Sequence, residues 1–302
     1  MAAVTNRVDG APGARGRRAP GARSATRRAG ALLARFPRTR RLVLWVAPIV
    51  VLVLLWQLAT DVWLTQERLF PPPADVWSAL RDLANNHGAI SGTYGNALAT
   101  FKRIIIAFLL SFVVGAGVGV VAGRKKLVFD LVSNPLWVMM AVPSVVWAFI
   151  FVVMLGTGDI VPIAALMALL VPNVLITVAE GTKGLSNELL EMADSYAATW
   201  PQRLREVYVP QLVPYLFAGA RVSFSLAIKV SVVAEVIGVQ KGIGYELDNW
   251  YTQTVLAPVV AWGIVLTAFG LIVDYLVFAP LERRMGRWRV ADAELNIVQE
   301  VV

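Results

Sequence analysis

Six long apolar runs constrain this chain more than any other feature of it. They cover about residues 42–59, 104–123, 135–155, 160–179, 212–238 and 255–281. A helix rises about 1.5 Å per residue, so each run is long enough to cross a hydrocarbon core of roughly 30 Å. None of them alternates polar and apolar residues at period two, which argues against a membrane β-barrel. In lipid the backbone must satisfy its polar groups within the segment, and that leaves the α-helix. Composition agrees: 57% of the 302 residues are hydrophobic and only 16% are charged, too apolar for a soluble protein of this length. The expected fold class is an all-α integral membrane protein with six transmembrane helices.

Several kinds of chemistry are excluded. The chain has no cysteine, so it forms no disulfide, has no thiol nucleophile and offers no cysteine-ligated metal. Its one histidine, His87, rules out a histidine metal cluster, and Asn85-Asn86-His87-Gly88 reads as an exposed turn. No G-x-x-x-x-G-K-[ST] loop is present, so the chain does not hydrolyse ATP by that route. We expect neither catalytic residues nor metal ligands.

The net charge of +8 is unevenly placed. Residues 1–41 hold eleven arginines among Ala, Gly and Pro, a composition expected to stay disordered. Phe36 is the one aromatic residue among them, too little interleaving to support a nucleic-acid-binding surface, and a tail touching anionic lipid fits better. With the N-terminus inside the cell, the inside segments carry 21 Lys and Arg and the outside segments five. By the positive-inside rule both termini are cytoplasmic, and so is the segment after span four.

That segment, residues 187–214, is the long charge-bearing stretch inside an apolar chain. Asn187 is a plausible N-cap, with Glu188 and Glu191 in the first helical turn. Leu189, Leu190, Met192, Ala193 and Tyr196 give the helix an apolar face. Trp200-Pro201 breaks it, and a second short helix over about 201–208 is expected to end before Pro210 and Pro214.

The segment resembles the EAA loop of permease subunits of bacterial ABC importers. The family pattern is E-A-A, three residues, Gly, nine residues, then I-x-L-P. Here Glu191-Met192-Ala193 precedes Asp194-Ser195-Tyr196, and Ala197 holds the glycine position. Nine residues follow, 198–206, and then Val207-Tyr208-Val209-Pro210. The departures are Met192, Ala197, Val207 and Val209. Ala197 suggests a turn that needs no positive φ. The resemblance covers about residues 65–285 and implies a type I importer core of five helices after one N-terminal helix. It implies a permease in a bacterial plasma membrane, paired with a second permease copy. It also implies two ATP-binding subunits that carry the ATP and magnesium and dock on the loop, and an extracytoplasmic solute-binding protein. By the same resemblance the coupling residues are Glu188, Glu191, Ala193, Asp194, Ala197 and Pro210.

The boundaries that follow are a tail 1–41, a first helix with an external segment 42–103, a core 104–281 with a coupling loop 185–210, and a tail 282–302. Within 60–103, residues 74–84 place Val76, Leu80 and Leu83 on one helical face and read as an amphipathic helix on the membrane surface. Thr100 to Arg103 resembles a T-x-x-R element of the family, and an interfacial anchor also accounts for Arg103. Gly115, Gly119 and Gly123, four apart, form a smooth face for close helix packing.

Pro143, Ser144, Trp147 and Asn173 lie near internal prolines and are candidates for the pathway lining, with kinked packing as the plainer alternative. Lys229 and Glu235 complete the candidate pathway set. They point about 120° apart on one helix, so each needs another partner. Two readings of Lys229 stand side by side: a positive field suited to an anion, or an ion pair with a carboxylate such as Asp274. Val233-Ala234-Glu235 with Gly242-Ile243-Gly244-Tyr245 resembles a signature of the sulfonate, taurine and nitrate branch, which implies a small organic or inorganic anion as solute. An ion-coupled secondary transporter would work without an ATPase and would show inverted repeats, which this sequence lacks.

Overall fold

A computed structural model of the chain describes residues 37–62, 70–85 and 92–284. The arginine tail through residue 36, Arg68, His87 and the C-terminal residues from 285 lie outside the described residues.

The chain divides into two compact units. The first holds α1, Pro37–Val62. This helix starts before the apolar run and takes in residues 37–41, which composition alone assigned to the tail.

The second unit holds α2 (Pro73–Asn85), α3 (Thr93–Arg124), α4 (Lys126–Ala141), α5 (Ser144–Leu155) and α6 (Ile160–Lys183). It continues with α7 (Asn187–Ser195), α8 (Trp200–Arg203), α9 (Val209–Gly238), α10 (Ile243–Thr252) and α11 (Leu256–Val273). One π-helical turn, Leu204–Tyr208, joins α8 to α9, and another, Asp274–Phe278, follows α11. The described residues are all-helical. Among the described residues, four spans are long and apolar enough to cross a membrane, Thr93–Arg124, Ile160–Lys183, Trp200–Gly238 and Leu256–Arg284, and the bent pair Lys126–Ala141 and Ser144–Leu155 makes a fifth if counted as one span.

The run 135–155 is not one straight helix. It breaks at Val142-Pro143, where α4 and α5 diverge by 98°. Val142 is extended (φ −72°, ψ 126°), because the residue before proline is driven out of the helical region. Pro143 then sits directly before Ser144, where its fixed φ suits a new helix start.

α3 packs along α6 on the glycine seam. A Cβ on Gly115 would lie 2.8 Å from the Val174 Cβ, and one on Gly119 would lie 2.8 Å from the Leu175 carbonyl oxygen. Gly117 points away, with nothing within 4 Å. Beside this seam, aromatic rings join α3, α9 and α11. Phe101 stacks on Phe269 at 3.9 Å, and Phe224 meets Phe108 at 5.3 Å and Phe278 at 5.6 Å.

The expectation for residues 74–84 needs correcting. α2 does form, but Val76 and Leu83 are 3% and 2% exposed and its apolar stripe packs against α11. Protein, not lipid, covers that face, because Ala79 and Leu83 belong to the same core as Ala261 and Trp262.

Candidate functional site

The loop after α6 is built from local signals. Ser186, not Asn187, caps α7, and its hydroxyl accepts from the Leu189 N–H at 3.3 Å. The shift leaves Glu188 in the first turn, where it favours the positive end of the helix, and moves Glu191 into the second. At the other end the Ala198 N–H donates to the Ala193 carbonyl at 3.0 Å, and the Ala197 N–H to that of Asp194 at 2.9 Å. This pair of bonds is a Schellman cap, which requires a left-handed residue between them. That residue is Ala197, at φ 49°. The turn therefore does use positive φ, contrary to the reading drawn from alanine in the glycine position.

The loop does not end before Pro210 either. Leu204–Tyr208 is π-helical and runs directly into α9, with the Val209 N–H donating to the Leu204 carbonyl. The wider turn carries the helix past Pro210, which has no N–H to offer. Asp194 pairs with Arg203, whose Nε also donates to the Ala198 carbonyl at 2.9 Å. These bonds tie α7 to the start of the long helix. Arg124 stacks over Tyr208 at 4.1 Å, and the Ser186 N–H donates to the Gln211 side chain at 3.0 Å.

On α7, Ala193 is buried and turns inward. Leu189, Met192 and Tyr196 are 41%, 52% and 81% exposed, and Trp200 follows at 64%. Positions i, i+3 and i+7 form one stripe, so α7 presents apolar side chains outward, flanked by exposed Glu188, Glu191 and Asp194.

At the opposite end of α9 lies a buried polar node. Glu235 is 0% exposed. Its Oε1 accepts from Arg103 Nη1 at 2.7 Å, and its Oε2 accepts from the Thr100 hydroxyl at 2.7 Å and the Gly244 N–H at 2.9 Å. Arg103 is 4% exposed, donates to the Lys241 carbonyl at 2.7 Å and reaches Asp159 at 2.5 Å. It is therefore a buried hub rather than an interfacial anchor. Gly242 and Gly244 are needed for close approach, since a Cβ on Gly242 would lie 2.7 Å from both Arg103 Nη1 and Glu235 Oε2. One on Gly244 would meet the Glu235 Cβ at 2.6 Å. The T-x-x-R element and the V-A-E…G-I-G signature, over a hundred residues apart in the chain, are thus two halves of one constellation.

Beside the node, Asn96 Nδ2 and Trp250 Nε1 donate to Glu246 at 2.7 and 3.2 Å. Burial pushes the Glu246 carboxyl above its ordinary value, and these two donors pull part of the way back.

The remaining pathway candidates do not gather in one place. Pro143 is exposed and Ser144 half-buried at the α4–α5 bend. Trp147 Nε1 donates to the Met139 carbonyl at 3.3 Å, across that bend. Asn173 Nδ2 bonds its own helix at the Leu169 carbonyl, 3.1 Å away. Lys229 is exposed on α9. The partner suggested for it is taken: both oxygens of Asp274 accept from Arg221, at 2.9 and 3.0 Å, and Arg221 also reaches Glu282 at 2.7 Å.

Comparison with known proteins places this architecture. The taurine transport system permease protein TauC of Escherichia coli (strain K12) is 24% identical over 84% of this chain and 92% of its own length. The putative aliphatic sulfonates transport permease protein SsuC of Bacillus subtilis (strain 168) is 25% identical over 79% of this chain and 85% of its own. Among solved structures, an amino acid ABC transporter crystallised with histidines superposes with a TM-score of 0.53 at 18% identity, covering 63% of this chain and 92% of that one. Residues 113–287 match the family described as binding-protein-dependent transport system inner membrane component. With more than half of its length in that match, this chain belongs to that family, the permeases of type I ABC importers.

Proposed function

We propose that this chain forms the translocation pathway of an ATP-driven importer in a bacterial plasma membrane and that α7 is its coupling helix. The reading has six membrane-crossing helices, both termini in the cytoplasm and α7 facing the cytosol. Two ATP-binding subunits grip the loop, a second copy of the permease completes the pathway, and an extracytoplasmic binding protein delivers the solute. ATP and magnesium belong to the ATP-binding subunits. The solute is a small anion of the kind named for relatives that carry taurine, aliphatic sulfonates and nitrate.

The observation that supports it best is the outward stripe of Leu189, Met192 and Tyr196, flanked by Glu188, Glu191 and Asp194. An amphipathic helix of this kind suits an apolar groove on a partner. Ala193 and the Schellman cap at Ala197 hold the helix against the π-turn, and the turn is continuous with α9 through Pro210. From Val209 to Glu235 α9 rises about 39 Å. Closure of the ATPases would move α7, and α9 would carry that motion to the node at its far end. The coupling requires that the ATPase contact differ between the two states of the bundle.

The test is co-purification from membranes. Leu189→Asp with Met192→Asp should remove the ATPase subunits and leave the permease at normal level. Undiminished ATPase would contradict the docking assignment. Uptake that follows an ion gradient without ATP would identify a secondary carrier instead.

A further inference from the structure

Lys229 lies 9 residues below the end of α9 at Gly238, about 14 Å along the axis, and 8 residues, about 12 Å, above Arg221. Ion pairs flank it along the axis: Arg221 with Asp274 and Glu282 below, Arg103 with Glu235 and Asp159 above. The lysine stands between them, on a face that also exposes Val222 and Ser225. The opposite face, with Phe224, Ala227, Ser231 and Ala234, is buried in the bundle.

An ammonium at this depth does not face hydrocarbon, and its stem is too short to carry the charge to either end. Nor, among the described residues, do the apolar runs supply a free counter-ion. The six apolar runs contain two carboxylates, Glu235 and Asp274. Glu235 has both oxygens engaged by Arg103, Thr100 and Gly244, and Asp274 has both engaged by Arg221. A second copy has the same sequence and therefore the same two carboxylates, similarly occupied.

We infer that Lys229 faces the aqueous pathway and is the charge that selects the solute, a small oxyanion held against its ammonium with the Ser225 hydroxyl one turn away. This rests on the reading above that the chain carries anions, and it names the residue responsible. The ammonium acts as a point donor, so the site accepts any compact oxyanion that reaches it.

The absence of cysteine makes the test direct. Lys229→Cys places one thiol in the chain, and a thiol reacts with charged, water-soluble methanethiosulfonates only where water reaches it. In the importer purified with its own ATPase and binding protein, Lys229→Cys should label with these reagents. Lys229→Met should lower uptake of the accepted anion roughly tenfold or more, the loss expected for a charge-assisted contact, and Lys229→Arg should retain most of it. Attaching an ethylammonium group to Lys229→Cys should restore uptake, while an ethylsulfonate should not. No labelling with or without ATP overturns the inference, as does unchanged anion uptake by Lys229→Met. Anion uptake by the wild type with an unlabelled cysteine removes Lys229 alone. A labelled cysteine in a wild-type importer that carries only neutral or cationic solutes removes the anion reading as well.

Discussion

Ala197 shows how much a single backbone angle can demand. At φ 49° an L-residue brings its Cβ close to its own carbonyl, a strain of about 1 kcal/mol that glycine avoids. Ala197→Gly should therefore stabilise the loop by about that amount, measured as a higher melting midpoint in detergent. Arg103 and Glu235 make a stronger demand. Arg103→Met would leave a fully buried carboxylate without its counter-ion, a loss of about 3–5 kcal/mol. Arg103→Met combined with Glu235→Met should recover much of it, which a double-mutant cycle on thermal midpoints would read. Glu246 responds to pH. Its folded carboxyl titrates above the ordinary range, so the fold favours the protonated form. That contribution is complete below the ordinary carboxyl value and is lost as pH rises through the raised one. The melting difference between wild type and Glu246→Leu should move in the wild type's favour from pH 7 to pH 5.

Among the elements, the contact of α3 with α6 is the most exacting. Gly119→Val would press a side chain into the Leu175 carbonyl and should cost about 1–3 kcal/mol, whereas Gly117→Ala meets open space and should be neutral or slightly stabilising. The two glycines lie two residues apart, so expression and melting of the pair separate packing from composition. The glycine spacing was legible in the sequence because packing on a regular helix repeats every four residues. The π-turn at 204–208 was not. Nothing in L-R-E-V-Y marks a ladder widened by one residue, and Pro210 read as a stop. The 98° break at Pro143 was legible as a proline but not as an angle. Proline removes a hydrogen bond, and the packing of α4 and α5 decides how far the helix bends.

On the scale of the whole molecule, α9 links the two built regions, an outward-facing stripe at one end and a buried node at the other. If α7 transmits work from an ATPase, Glu191→Lys should leave the permease in the membrane and lower uptake several-fold more than ATP hydrolysis. Parallel measurement of solute and phosphate in vesicles would show it, and full uptake would count against α7 as the coupling helix.

The sequence alone determined the all-helical membrane class, the apolar runs and the placement of the charge-bearing loop. Those follow from composition and short-range periodicity, which any local window contains. It also carried the T-x-x-R and V-A-E…G-I-G residues, but not their meeting. Their partners lie more than a hundred positions apart, and only the packing of α3 against α9 and the 239–244 turn brings Arg103 to Glu235. The meeting of α9 with the turn after α11 assigned Asp274 to Arg221, and Lys229 is left facing outward, a choice between carboxylates that no spacing along the chain encodes.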